Sequence, residues 1–168
     1  TITESNGSTG VTESGTTDTF TVVLDAQPSS DVVIAIESDD TGEATITGSL
    51  TFTPANWNAA QTVTVTGIDD DLIDGSQSST ISITVVDAIS DNDFDAIADQ
   101  TVSVTTTDDD VAGFTITESN GSTGVTESGT TDTFTVVLDA EPNSDVVLTV
   151  TSSDPGEATV TSTLTFTS

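Results

Sequence analysis

The stretch Thr19-Phe20-Thr21-Val22-Val23-Leu24 decides the fold, because Phe20, Val22 and Leu24 alternate with Thr19, Thr21 and Val23 between Gly15 and Pro28. A period of two puts alternate side chains on opposite faces of an extended chain, so one face of this segment is apolar and the other wet. The same period recurs outward from it. Val32, Ile34 and Ile36 make a second run, and Leu50 and Phe52 mark a short pair over 44–47 and 49–53. Val63 and Val65 follow in 62–68, then Ile81, Ile83 and Val85 in 80–86, then Val102 and Val104 in 101–107. About seven such strands, with turn residues every ~8 to 12 positions and no helical period, predict an all-β, immunoglobulin-like antiparallel β-sandwich. The many Thr residues suit its outward faces, since Thr favours extended backbone and tolerates water.

Composition tests that reading. The chain carries 29 Asp plus Glu, no Lys, Arg or His, and a formal charge of -29. Such charge can prevent a chain from burying enough apolar surface to fold. Here Val, Ile, Leu and Phe make 42 of 168 residues, above the roughly 20% at which disorder takes over. No cysteine is present, which removes disulfides and zinc–thiolate sites. No run of about 18 apolar residues exists to form a membrane-crossing helix. Nucleic acid and anionic lipid need Lys or Arg at the contact, so neither is expected as a partner. Without His, Cys, Lys or Arg the usual bases, nucleophiles and oxyanion clamps are missing, and no enzyme is expected. A carboxylate pair can cleave glycosides, but tandem sandwiches with acids at their poles offer no cleft for a sugar chain.

Thr1 to Ala26 recurs unchanged at Thr115 to Ala140, an offset of 114 residues. The match continues with drift, Gln27-Pro28-Ser29-Ser30 against Glu141-Pro142-Asn143-Ser144, and Gly42-Glu43-Ala44-Thr45 against Gly156-Glu157-Ala158-Thr159. That period exceeds any solenoid repeat and is the size of a domain. The expected organisation is repeat one at 1–110 and the N-terminal half of repeat two at 111–168. Repeat one has no counterpart of Val111-Ala112-Gly113-Phe114, so the chain is expected to be a window on a longer array. The alternative is a half-domain completed by strand addition from a partner chain.

Acidic residues gather at strand ends: Glu13, then Asp39 and Asp40, then Asp69-Asp70-Asp71-Leu72-Ile73-Asp74, then Asp108-Asp109-Asp110. In an antiparallel sandwich all four elements can meet at one pole. Two carboxylates ~4 Å apart repel by about 4 kcal/mol at an effective dielectric of ~20. No basic side chain is present to answer them, so the counter-charge must come from outside. Calcium (Ca2+), a hard ion taking roughly 6 to 8 oxygens, is the natural candidate.

Val11-Thr12-Glu13-Ser14-Gly15, Gly48-Ser49-Leu50-Thr51-Phe52-Thr53-Pro54, 61–71 and Val102 through Asp110 together resemble the Calx-beta repeat, in the variety strung in tandem in large bacterial surface and secreted proteins. The resemblance spans nearly all of repeat one and the first half of repeat two. It implies calcium ligands at Glu13, Asp40, Asp69, Asp70, Asp74, Asp108, Asp109 and Asp110, with Asp71 and the Ile73 carbonyl beside them. Glu127 and Asp154 are the matching positions of an incomplete second site. Where calcium-sensing members carry Glu-Gly-Asp-Glu, this chain has Asp74-Gly75-Ser76-Gln77. Two fewer carboxylates imply fewer ions and weaken a sensor reading. The bland reading of all these acids is a solvated surface.

Asp91, Asp93 and Asp95 copy the first three ligand spacings of an EF-hand loop, but Ala96 stands where that loop needs Gly, and no Glu follows at the twelfth position. Asn6-Gly7-Ser8 and Asn120-Gly121-Ser122 match both a glycosylation acceptor and an Asn-Gly turn, and the turn reading is preferred. Trp57, outside the alternation, is expected to cap the open end of the core rather than to hold a ligand. The functional expectation is an extracellular or cell-surface stalk, fibre or filament segment, stiffened by calcium, with neighbouring repeats or identical subunits as partners. The alternative is an adhesin module recognising a glycan or partner protein through its loops.

Overall fold

The computed structural model describes residues Thr1–Ser168 as two units. The first comprises Thr1–Asp70 and Asp74–Asp109; the second comprises Asp110–Ser168 with Asp71–Ile73.

The first unit is an immunoglobulin-like sandwich of nine strands: β1 (Ile2–Glu4), β2 (Thr9–Thr12), β3 (Thr17–Val22), β4 (Val32–Ser38), β5 (Ala44–Ile46), β6 (Leu50–Phe52), β7 (Gln61–Gly67), β8 (Gln77–Val85) and β9 (Gln100–Thr107). One sheet runs β1-β3-β7-β5 and the other β2-β9-β8-β4-β6. The alternating apolar residues face inward from both sheets. Phe20 lies opposite Val63 in one, Ile81 opposite Val102 in the other, and Phe20, Phe52, Val63, Val65, Ile81 and Val104 are wholly buried. Trp57 packs on this core half-buried, and its carbonyl accepts the Leu24 N–H at 3.2 Å.

Two details depart from the expected seven antiparallel strands. The segment before β3 forms two strands, one in each sheet. The chain crosses between them at a 3-10 turn over Ser5–Gly7, where Asn6 (φ 56°) and Gly7 (φ 82°) adopt the left-handed backbone that Asn and Gly best tolerate. β2 then pairs with β9 in parallel, Thr9 beside Val104 and Thr12 beside Thr107. The short strands β5 and β6 are also not a pair. β5 joins β7 and β6 joins β4, on opposite sheets, because each finds a longer strand with which to complete its hydrogen bonds.

The second unit holds β10 (Phe114–Glu118), β11 (Phe134–Leu138), β12 (Val146–Thr149) and β13 (Thr163–Phe166), paired as two separate two-stranded sheets. The registers copy the first unit: Ile116 opposite Val136 matches Ile2 opposite Val22, and Val146 opposite Phe166 matches Val32 opposite Phe52. Thr123-Gly124-Val125-Thr126 has the sequence of β2 but is not a strand. Its Val125 is 46% exposed where Val11 is 3%. With sequence held constant, the partner strand β9 decides the outcome, which is the context dependence of β propensity in one molecule.

Candidate metal centre

Glu13 follows β2 directly. Its N–H donates to the Thr107 carbonyl at 3.1 Å, continuing the parallel ladder past both strands. The turn behind it is pinned by Thr12 N–H to Thr16 Oγ1 at 2.8 Å and by Gly15 N–H to the Thr12 carbonyl at 3.2 Å, with Gly15 at φ 81°. β7 ends against this turn so closely that a Cβ on Gly67 would stand 2.1 Å from the Thr12 carbonyl oxygen. Held this way, the Glu13 side chain points inward and is 1% exposed. Neither of its carboxylate oxygens has a hydrogen-bond partner.

Other acids converge on it. One carboxylate oxygen each from Glu13, Glu43 and Asp70 lie within 4.8 Å of one another, and an Asp108 oxygen comes within the same distance of Glu13. Glu43 leads into β5, and its carbonyl accepts from Ile68 N–H at 2.9 Å and from the buried Thr106 hydroxyl at 3.3 Å. Its Oε2 is buried without a partner. Asp70 lies just past the end of β7, and Asp108 just past β9, where its Oδ2 accepts the Gly75 N–H at 2.7 Å and so ties down the acidic loop. The four acids come from four chain segments and meet at one end of the sandwich.

The electrostatic cost is visible in the acidities. Burial pushes the Glu13 carboxyl up to about 7, and the charges of Asp108, Asp70 and Glu43 push the same way. The Asp109 N–H opposes the rise, although it does not reach hydrogen-bonding geometry. Glu43 is raised by burial first, then by Asp74, Asp40, Asp70 and Asp108. The only cation, the Thr1 amino group, pairs with Asp25 at 3.4 Å, past the opposite end of β3. A carboxylate pair at 4.8 Å repels by about 3 kcal/mol at an effective dielectric of ~20. A hard divalent cation among these oxygens reverses the sign of that term. The donor set is all carboxylate, which suits calcium better than a thiolate- or imidazole-seeking metal.

The other expected ligands have varied places. Asp40 and Asp74 stand close enough to raise Glu43, although the Asp40 Oδ1 also accepts the Gly42 N–H at 3.0 Å in its own turn. Asp69, Asp71 and Asp109 are exposed, and Asp110 opens the second unit. Glu127 is exposed in the second unit, and Asp154 accepts the Gly156 N–H at 3.1 Å as Asp40 does from Gly42. The structure gives Asp91 a task of its own. It is 5% exposed, and its Oδ2 accepts from Ser29 N–H at 2.5 Å, Ser29 Oγ at 2.8 Å and Ser30 N–H at 3.0 Å, while Oδ1 accepts from Asp93 N–H at 3.1 Å. Those donors hold its acidity down at about 2, and they turn the EF-hand-like spacing of Asp91, Asp93 and Asp95 into an internal clamp between two loops.

Glu43 is the residue that sequence reasoning missed. Its signal is weak but present: an acid between a turn and a short buried strand, beside Asp39 and Asp40, at the end of the sandwich where β7 delivers Asp70.

No protein-family model matches the chain, and no curated protein matches it in sequence. Among solved structures it is similar to SSP-19, an MSP-domain protein like family member in Caenorhabditis elegans, at 18% identity and a TM-score of 0.40, over 63% of this chain and 97% of that one. It is also similar to the calcium binding domain CBD12 of CALX1.1, at 16% identity and a TM-score of 0.44, over 66% of this chain and 45% of that one. A third, the E. coli chaperone DraB, has 8% identity and a TM-score of 0.47, over 68% of this chain and 57% of that one.

Proposed function

We propose that the first unit is a calcium-binding β-sandwich, and that the chain is a structural segment of an extracellular stalk or fibre whose copies are stiffened by that ion. The observation that carries the reading is Glu13: a carboxylate 1% exposed, with neither oxygen partnered, facing Glu43, Asp70 and Asp108. Leaving a buried charge unpaired is among the costliest arrangements in a protein, and a bound cation is the remedy this composition allows.

Glu13, Glu43, Asp70 and Asp108 would hold the ion, with Asp40 and Asp74 near enough to add charge. In this reading the ion neutralises the pole and draws β2, β5, β7 and β9 together there. The structural role draws its support from sequence: the Asp108–Asp110 triplet stands four residues from the start of β10, and copies are spaced by 114 residues with little drift. Near-identical copies suit spacing better than recognition, which weighs against the adhesin alternative and its glycan partner. A non-catalytic role fits the absence of basic side chains.

The test follows unfolding by fluorescence of Trp57, the single tryptophan, which lies in the first unit. Melting should shift upward with calcium and return with chelator. An unchanged midpoint contradicts the metal reading; an upward shift without any change in the X-ray scattering profile contradicts only the stiffening role.

A further inference from the structure

A groove of about 580 Å³ opens into the core of the first unit at the end away from Glu13, walled by Leu24, Ile34, Ile83, Val85, Phe94 and Ile97. Thr1 and Ile2 stand on its rim. The repeat supplies a direct comparison. β1 and β10 carry the same sequence and pair in the same register, Ile2 opposite Val22 and Ile116 opposite Val136. β10 starts two positions earlier, at Phe114, directly opposite Leu138, whose counterpart is Leu24. Residues directly opposite in an antiparallel pair put their side chains on the same face. Leu24 is 9% exposed and faces the groove. A side chain on the position ahead of Thr1 in this register therefore points into it.

A further fact makes the lead into β10 a strand rather than a spacer. The ladder continues to Gly113, whose carbonyl accepts Asp139 N–H at 3.1 Å. Phe114 itself is 52% exposed. The second unit contains no counterpart of β8 or of the 92–98 loop, which supply four of the six groove walls in the first. Within residues 1–168 the ring and the walls thus fall in different copies.

We propose that the groove is a socket for an aromatic side chain borne by a Gly-Phe pair leading into β1, so that the residues joining one copy to the next are part of the following core. The socket commits to the covalent lead and not to a free ligand. It is tested by joining Val-Ala-Gly-Phe ahead of Thr1 in the full chain and comparing it with the same extension ending in Ser. Both extensions remove the Thr1 amino group from Asp25, so that loss cancels. With Trp57 fluorescence reporting the first unit, the Phe-led chain should melt roughly 5–10 °C above the Ser-led one, as expected when a ring becomes buried in a domain of this size. Replacing Ile97, which is 48% exposed, by Ala should shrink that gain. Equal melting of the two extended chains overturns the proposal, as does a gain that Ile97→Ala leaves intact. A Ser-led chain whose melting rises with protein concentration would place a second molecule in the groove and overturn it equally.

Discussion

Glu13 and Glu43 approach to within 4.8 Å, carboxylate to carboxylate, with no partner on either Glu13 oxygen or on Glu43 Oε2. They leave different strand ends and different sheets, so only the closed sandwich brings them together. Any condition that charges both therefore works against closure, and any cation that bridges them works for it.

The pH response without metal follows from that pair. An unfolded chain loses the Glu13 proton near 4.5, while the folded one keeps it up to about 7. The folded state thus holds more protons between these values, and its stability falls as pH rises through them. Glu43, shifted the same way, adds to the effect. In chelator the melting temperature should fall by roughly 5 °C or more between pH 5 and pH 8, as read by Trp57 fluorescence. Saturating calcium should abolish the slope.

Glu13→Gln removes the charge and keeps the shape. At pH 8 in chelator the variant should be at least as stable as the parent, because a buried carboxylate no longer has to ionise. Its calcium affinity should fall about tenfold or more, since charge count sets affinity in such sites. A titration showing parental affinity would remove Glu13 from the ligand set.

Gly67→Ala attacks the scaffold instead. The new Cβ would have to occupy a point 2.1 Å from the Thr12 oxygen and 2.9 Å from its carbonyl carbon, with backbone on both sides. Overpacking of this kind costs about 3 kcal/mol. Urea unfolding should show that loss, and calcium should recover only part of it, because the displaced turn carries Glu13.

Asp91→Ala is the control at the other end of the first unit. Four donors lose their acceptor at once, and the melting temperature should drop by roughly 5–10 °C. The acidity of Asp91 is held down at about 2. Its contribution is therefore present above the ordinary carboxylate value of 3.8 and is lost as pH falls toward 2. The calcium-induced shift should be unchanged.

Much of this was legible in the chain. The alternation of Phe20, Val22 and Leu24 gave the strands, and the exact recurrence of Thr1 to Ala26 gave the period. Sheet assignment was less legible, because β2, β5 and β6 are three or four residues long and take their partners from tertiary packing. Glu13 and Glu127 show the limit most plainly. The local sequence Val-Thr-Glu-Ser-Gly is the same in both, yet Glu13 is 1% exposed and Glu127 lies on the surface. Burial of that carboxylate depends on β7 and β9 arriving beside it, which no local pattern encodes. Glu43 was hidden for a related reason: a single acid before a three-residue strand looks like surface until Ile68 and Thr106 fix its backbone beneath the cluster.

The most direct test is a calorimetric calcium titration at pH 6.5, repeated in buffers of different ionisation heat. Glu13 is largely protonated there and must lose its proton to hold the ion, so the account predicts saturable binding with proton release, and loss of that release in Glu13→Gln. No binding, or binding in which the parent and Glu13→Gln release the same number of protons, would contradict it.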